Sequence, residues 1–133
     1  MSGADRVPLL VVVVGIALNI PGWIWHEFVH SHEGLETLRT QAVFYLATAL
    51  VLVGAIMALS RGLARPLHTT YAVVLSGALI QGVGWVWDFI AHYQAVDSTV
   101  AHAIVYAGSA IIVAAISWRL TMLRRHGGIE ARR

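Results

Sequence analysis

The chain contains no cysteine and no lysine, and only 12% of its residues are charged. The absence of cysteine excludes disulfides, thiolate metal sites and cysteine nucleophiles. The absence of lysine excludes a Schiff base to a side-chain amine; all nine basic residues are arginine. A water-soluble domain of 133 residues needs more charge to cover its surface, whereas this chain is 58% hydrophobic. The composition therefore indicates a membrane protein.

Four apolar segments are each long enough to cross a bilayer as a helix, which takes about 20 residues. They are residues 7–29, 38–60, 69–92 and 99–122. We therefore predict an all-α fold in which a single domain, residues 1–133, forms an integral membrane four-helix bundle. The first segment is expected to be a retained span, because it lacks the small-residue cleavage site of a signal peptide.

Individual residues refine these predicted helices. Pro21 should kink or loosen the last third of the first helix, and Pro66 should break the basic loop before the third. Asp97 or Ser98 is suited to cap the fourth helix at its N-terminus. Five glycines are expected to let helices approach closely: Gly15, Gly54, Gly77, Gly82 and Gly108.

The distribution of arginine predicts the orientation in the membrane. With the N-terminus in the cytoplasm, eight of the nine arginines lie on the cytoplasmic side and only Arg39 lies outside. We expect a multi-pass protein of the inner or plasma membrane of the cell, with both termini cytoplasmic. Five of the seven histidines then collect near the outer face. An outer belt of interfacial tryptophans is also expected, formed by Trp23, Trp25, Trp85 and Trp87.

A short internal repeat occurs at an offset of 62 residues. The sequence GWIWH at Gly22–His26 matches GWVWD at Gly84–Asp88, and His30 matches His92. Each copy is followed by a polar turn and a further apolar run. The repeat favours two duplicated helix hairpins of parallel orientation, in which His26 and His30 correspond to Asp88 and His92.

Asp88, His92 and His102 form the strongest candidate site. Asp88 and His92 are four residues apart and share one helix face, whereas His102 begins the next apolar segment after a short polar turn. The helical rise of about 1.5 Å per residue places all three near the outer boundary of the hydrocarbon core. A carboxylate and two imidazoles are ligands for copper or zinc. The alternative is that these polar residues solvate and cap helix ends.

The pattern D-x3-H-x4-D-S-T-x2-H-x3-Y-x-G, from Asp88 to Gly108, resembles the segment that carries the membrane copper site in the C subunit of particulate methane and ammonia monooxygenases. The resemblance covers about 20 of the 133 residues. It implies that Asp88, His92 and His102 are metal ligands and that the metal is copper. It also implies a metal-binding subunit related to copper membrane monooxygenase assemblies.

His26 and His30 lie in a literal H-E-x-x-H motif, His26-Glu27-Phe28-Val29-His30. In zinc metalloproteases this motif supplies two zinc ligands and a general base. The internal repeat offers another explanation, in which His26 and His30 are metal ligands equivalent to Asp88 and His92. We therefore include both histidines among the candidate metal ligands and rank the protease last.

Two further functions remain open at the level of sequence. The chain could be a non-catalytic accessory subunit of a larger membrane complex, since its small size and helical body suit that role equally well. It could also be a b-type haem protein that uses His30 and His92, or His26 and His102, as axial ligands. Whether it is an enzyme stays undecided. The expected partners are the lipid bilayer and other membrane subunits or further copies of the chain, and no nucleic acid is expected.

Overall fold

The protein folds as four helices joined by short connections. A computed structural model describes residues 3–28, 36–63, 65–94, 96 and 98–130, with side-chain surroundings for residues 6–21, 42–63, 65–94, 96 and 98–122. The helices are α1 (Gly3–Phe28), α2 (Glu36–Leu59), α3 (Arg65–Tyr93) and α4 (Thr99–Glu130). The predicted all-α fold is confirmed.

Three helices contain stretches long and apolar enough to cross a membrane, namely Ala42–Leu59, Arg65–Tyr93 and Thr99–Met122. The described apolar stretch of α1, Arg6–Pro21, is shorter. Large apolar side chains also cover the outside of the bundle. Because lipid accepts such a surface whereas water penalises it, this exterior is typical of membrane-embedded helices.

Two prolines lie inside helices where the sequence indicated a break. Pro66 is the second residue of α3, where a missing N–H removes no helical hydrogen bond, so α3 begins earlier than predicted. Pro21 lies within α1, which continues past it to Phe28. The chain instead turns at Gly62, between the end of α2 and the start of α3. Gly62 has a φ of 62°, in the left-handed region that glycine adopts readily.

The helices pack antiparallel in chain order. α1 packs along α2 and α3 along α4, and α2 contacts α3 over a smaller area. No comparable interface joins α1 to α4 within the part of the chain that the structure describes. The bundle is therefore open along one side.

The two hairpins pack through equivalent residues. Gly15 of α1 fits against Ala47 and Val51 of α2, and Gly77 of α3 fits against Gly108 and Ile112 of α4. Gly15 and Gly77 are separated by the repeat offset of 62, whereas the partners on α2 and α4 are separated by 61. The packing thus follows the internal repeat well beyond the residues that match in sequence.

The interior changes character along the bundle. The half nearer the turn between α2 and α3 is an apolar cluster: Val12, Val51, Ala55, Ala58, Tyr71, Val74, Ala78, Ile112 and Ile116. A polar layer of Asn19, Thr48, Gln81 and Ser109 follows, with one side chain from each helix. Beyond it, Phe44, Trp85 and Val105 form a small cluster, which lies beneath the C-terminal end of α3.

Trp85 corrects one prediction. Its indole is buried and stacks on Phe44, with the ring centroids 4.1 Å apart, so Trp85 belongs to the core and not to an interfacial belt. Trp87, two residues later, is exposed, and its place in an interfacial belt stays a prediction. The reason is helical periodicity, because Gln81, Trp85 and Asp88 follow one another at spacings of four and three and so share the buried face of α3.

Candidate metal site at the C-terminal end of α3

Asp88 is the centre of the candidate site. It lies in the last turns of α3, one turn beyond Trp85, and its side chain is 0% exposed. A carboxylate without access to water is strongly destabilised unless hydrogen bonds or opposite charge compensate for the lost hydration. The surroundings of Asp88 must therefore supply donors or cations.

His102 of α4 supplies one such partner. Its Nε2 lies 2.9 Å from Oδ1 of Asp88, within hydrogen-bonding distance, while 27% of its side chain remains exposed. The start of α4 determines this position. The backbone carbonyl of Ser98 accepts a hydrogen bond from the backbone N–H of His102 at 3.0 Å, which makes Ser98 the N-cap. The prediction of an N-cap at Asp97 or Ser98 is thus confirmed at Ser98, while Asp97 lies outside the described residues.

His92 approaches the same carboxylate from one turn along α3. Its Nδ1 lies 3.3 Å from Oδ1 of Asp88 and 2.9 Å from the backbone carbonyl oxygen of Asp88. The carbonyl can only accept, so this arrangement favours the tautomer in which Nδ1 carries the proton and donates it. The lone pair of the neutral ring is then on Nε2.

The side chain of Ser98, in the connection before α4, also interacts favourably with the Asp88 carboxylate. Below the site, the Tyr45 hydroxyl donates to the backbone carbonyl oxygen of Trp85 at 3.1 Å. The latter contact joins α2 to α3 just beneath Asp88. The carboxylate is therefore held by groups from α3, α4 and the connection between them, above a floor to which α2 contributes.

The structure brings three of the five predicted site residues together. The imidazole rings of His92 and His102 each place a nitrogen within 3.3 Å of Oδ1 of Asp88. The side chain of His26 and the whole of His30 lie outside the described residues, so their predicted role as metal ligands stays a prediction.

Gln81 organises the polar layer, although it is not among the predicted site residues. Its Oε1 accepts a hydrogen bond from Thr48 Oγ1 at 3.2 Å. Its Nε2 donates to Ser109 Oγ at 2.8 Å and to Asn19 Oδ1 at 3.4 Å. The internal repeat could have identified this pair, because Asn19 and Gln81 are 62 residues apart.

The donor atoms partly fit a transition-metal ion. Two ligand atoms that each bond to one metal at about 2.0–2.1 Å lie about 2.8–3.4 Å apart. The separation of 2.9 Å between Asp88 Oδ1 and His102 Nε2 falls in that range, whereas the 3.3 Å contact of His92 is made by Nδ1, the nitrogen that carries the proton. Nevertheless, within the described residues no group of three or more His, Cys, Asp or Glu side chains is already arranged to hold a metal. One obstacle is His92, because its Nδ1 faces the Asp88 carbonyl.

No protein-family model, curated protein or solved structure matches this chain. The function is therefore inferred from the residues of the site.

Proposed function

We propose that the protein is a metal-binding membrane subunit that holds a copper ion at the outer end of the bundle through Asp88, His92 and His102. The observation that carries this proposal is the approach of two imidazoles from different helices to one carboxylate oxygen, at 2.9 and 3.3 Å. A divalent ion would offset the buried negative charge of Asp88. Bound copper would supply one-electron redox chemistry, which zinc lacks.

The choice of copper over zinc rests on two supports. Divalent copper generally binds nitrogen and oxygen ligands more tightly than zinc does, and imidazole suits both metals. The resemblance of Asp88–Gly108 to the copper-bearing segment of the membrane monooxygenases also favours copper. We infer a place within a copper-dependent membrane assembly of that kind, with zinc as the second choice of metal.

Metal binding would require changes in the two histidines. The proton that His92 donates to the Asp88 carbonyl indicates binding through its Nε2, which requires the ring to turn. His102 would have to direct a nitrogen lone pair at the metal, whereas its Nε2 now faces the Asp88 carboxylate. Protons thus compete directly with the metal, so metal retention should fall as the pH is lowered.

The experiment is elemental analysis of the detergent-purified chain after incubation with copper or zinc and removal of unbound metal. The wild type should retain copper close to one ion per chain, and His102→Ala should retain little. His68→Ala is the matched control, since His68 is an exposed histidine at the opposite end of α3. A wild type that holds no metal, or a His102→Ala variant that keeps it all, would contradict the proposal.

A non-catalytic accessory subunit is the second candidate function. It is favoured by the lack of a ready three-residue metal arrangement among the described side chains and by the apolar exterior available to neighbouring subunits. On this alternative, the contact between Asp88 and His102 only fastens α3 to α4. His102→Ala would then lower thermal stability by the same amount with and without added copper.

We also infer that the two hairpins arose by duplication. The support is the packing of Gly15 and Gly77 against equivalent partners and the direct contact of Asn19 with Gln81. In the sequence repeat, His26 and His30 correspond to Asp88 and His92, and Gln41 corresponds to His102. A second site in the α1–α2 hairpin would therefore have a different ligand set, without the carboxylate.

The orientation in the membrane can be tested by cysteine labelling, because the chain has no cysteine and each introduced cysteine is then its only thiol. We propose that both termini are cytoplasmic, so Tyr93, which is exposed at the outer end of α3, should face away from the cytoplasm, and Ser60 should face it. In intact spheroplasts, a membrane-impermeant maleimide should react with Tyr93→Cys, and with Ser60→Cys only after lysis. The reverse pattern would invert the proposed topology and place the metal site inside.

A further inference from the structure

The open side of the bundle contains a groove between α1 and α4 with a volume of about 320 Å³. Its walls are apolar, formed by Ile16 and Ile20 of α1 and by Ile112 and Val113 of α4. Three polar residues, Asn19, Gln81 and Ser109, lie at its floor and expose only a small polar surface there. We call this feature the α1/α4 groove. It lies at the place where an interface equivalent to that between α2 and α3 would be expected from the internal repeat.

The floor keeps hydrogen-bonding capacity after its described contacts are counted. Nδ2 of Asn19 donates one described hydrogen bond, to the Gly15 carbonyl oxygen at 3.2 Å, and an amide nitrogen has two hydrogens. Ser109 Oγ donates to the Val105 carbonyl oxygen and accepts from Gln81 Nε2, which leaves one further lone pair. Asn19 is only 8% exposed. A ligand oxygen could accept from Asn19, and a ligand hydroxyl could also donate to Ser109.

The depth and size of the groove restrict its occupant. Gln81 lies near the middle of α3, about 10 Å along the helix from Asp88, so the floor is at mid-membrane depth. Its lining residues include no charged side chain, so they offer no counter-charge to an ionic group. A volume of about 320 Å³ is within the range of small-ligand sites.

We propose that the α1/α4 groove binds a neutral, lipid-soluble molecule that carries one hydroxyl or carbonyl oxygen. The hydrocarbon body lies between the isoleucine and valine walls, and the oxygen bonds to the Asn19 amide in a place where lipid offers no competing donor. This site is separate from Asp88, and it does not depend on metal binding there.

The probe is a diazirine-bearing analogue of decanol, photocrosslinked to the full-length chain in detergent and mapped by peptide mass spectrometry. Crosslinks should concentrate in α1 and α4, and unlabelled decanol should displace the probe more strongly than decane does. Asn19→Leu should weaken displacement by decanol about tenfold, because it removes the donor but keeps the size of the side chain. Thr48→Val is the matched control, since it removes another hydrogen bond to Gln81 without lining the groove.

A second variant tests the volume. Val113→Trp should fill the groove from its lipid-facing rim and abolish specific crosslinking, and because Val113 is half exposed the core should stay folded. Copper content, measured in parallel, should not change in Val113→Trp. Equal displacement by decane and decanol would overturn the proposal, as would crosslinks spread evenly over all four helices. A wild-type dimer that Val113→Trp converts to monomer would also overturn it, because the groove would then be an interface between copies.

Discussion

Replacing Asp88 with asparagine is expected to lower the affinity for copper by on the order of 100-fold or more, beyond the usual effect of losing a residue that only supports a ligand. Asparagine keeps the size and shape of the side chain but removes the negative charge at the one atom that both imidazoles approach. Because the site is buried, water cannot replace the charge. The measurement is a copper titration against a competing chelator, with His68→Ala as the control.

Loss of folding could imitate loss of a ligand, so thermal unfolding of metal-free Asp88→Asn is measured in the same detergent. We expect its transition to stay cooperative, because Ser98 and His102 can still form hydrogen bonds with an amide oxygen. A cooperative variant with wild-type copper affinity would remove Asp88 from the site. A wild type whose copper affinity did not fall on acidification would argue against imidazole ligands altogether.

Gly108→Ala is expected to destabilise the fold more than any other small substitution in α3 or α4. A Cβ at this position would lie 2.5 Å from the Gln81 backbone nitrogen and 2.6 Å from the Gly77 carbonyl oxygen. Both are backbone atoms, so no side chain can rotate away and α4 must move off α3. Overpacking of this kind costs about 3 kcal/mol or more when the backbone has to shift. The midpoint of thermal unfolding, followed by far-ultraviolet circular dichroism, should fall clearly.

Gly82→Ala provides the matched control, because Gly82 follows Gln81 on α3 but does not face α4. The nearest atom to a Cβ there is Thr48 Cγ2 at 3.9 Å, an ordinary van der Waals distance, so the sequence prediction of close packing at Gly82 was wrong. Alanine also favours a helix over glycine by up to about 1 kcal/mol. We expect an unchanged or slightly higher midpoint. Equal midpoints for the two variants would mean that α3 and α4 are farther apart than described.

The two expected results are linked through α4. Gly108 lies less than two turns from His102, and the same displacement that relieves a Cβ at Gly108 would draw His102 away from Asp88. Close backbone packing thus determines whether the imidazole can reach the carboxylate. A chain that binds copper should therefore lose part of that affinity in Gly108→Ala, even at temperatures where the variant remains folded.

Composition and residue spacing alone determined the number and type of the helices and the main residues of the candidate site. The low charge and the long apolar runs predicted four helices. The structure has four, and three of them are long and apolar enough to span a membrane. The spacing of Asp88 and His92, with His102 after a short turn, led to their convergence, because four residues make one helical turn and a short turn forces antiparallel neighbours. These features depend on local geometry and on hydrophobicity, which are properties of the sequence itself.

Only the tertiary structure decided which residues lie inside and which helices meet. In an apolar chain nearly every helix face is hydrophobic, so periodicity did not separate buried Trp85 from exposed Trp87. The role of Gln81 depends on partners from three other helices, and the groove exists because α1 and α4 do not close against each other. Lipid solvates an apolar surface as well as the protein interior does, so hydrophobicity does not decide which helix faces meet. Close packing and hydrogen bonds decide it, and both depend on atoms far apart in the chain.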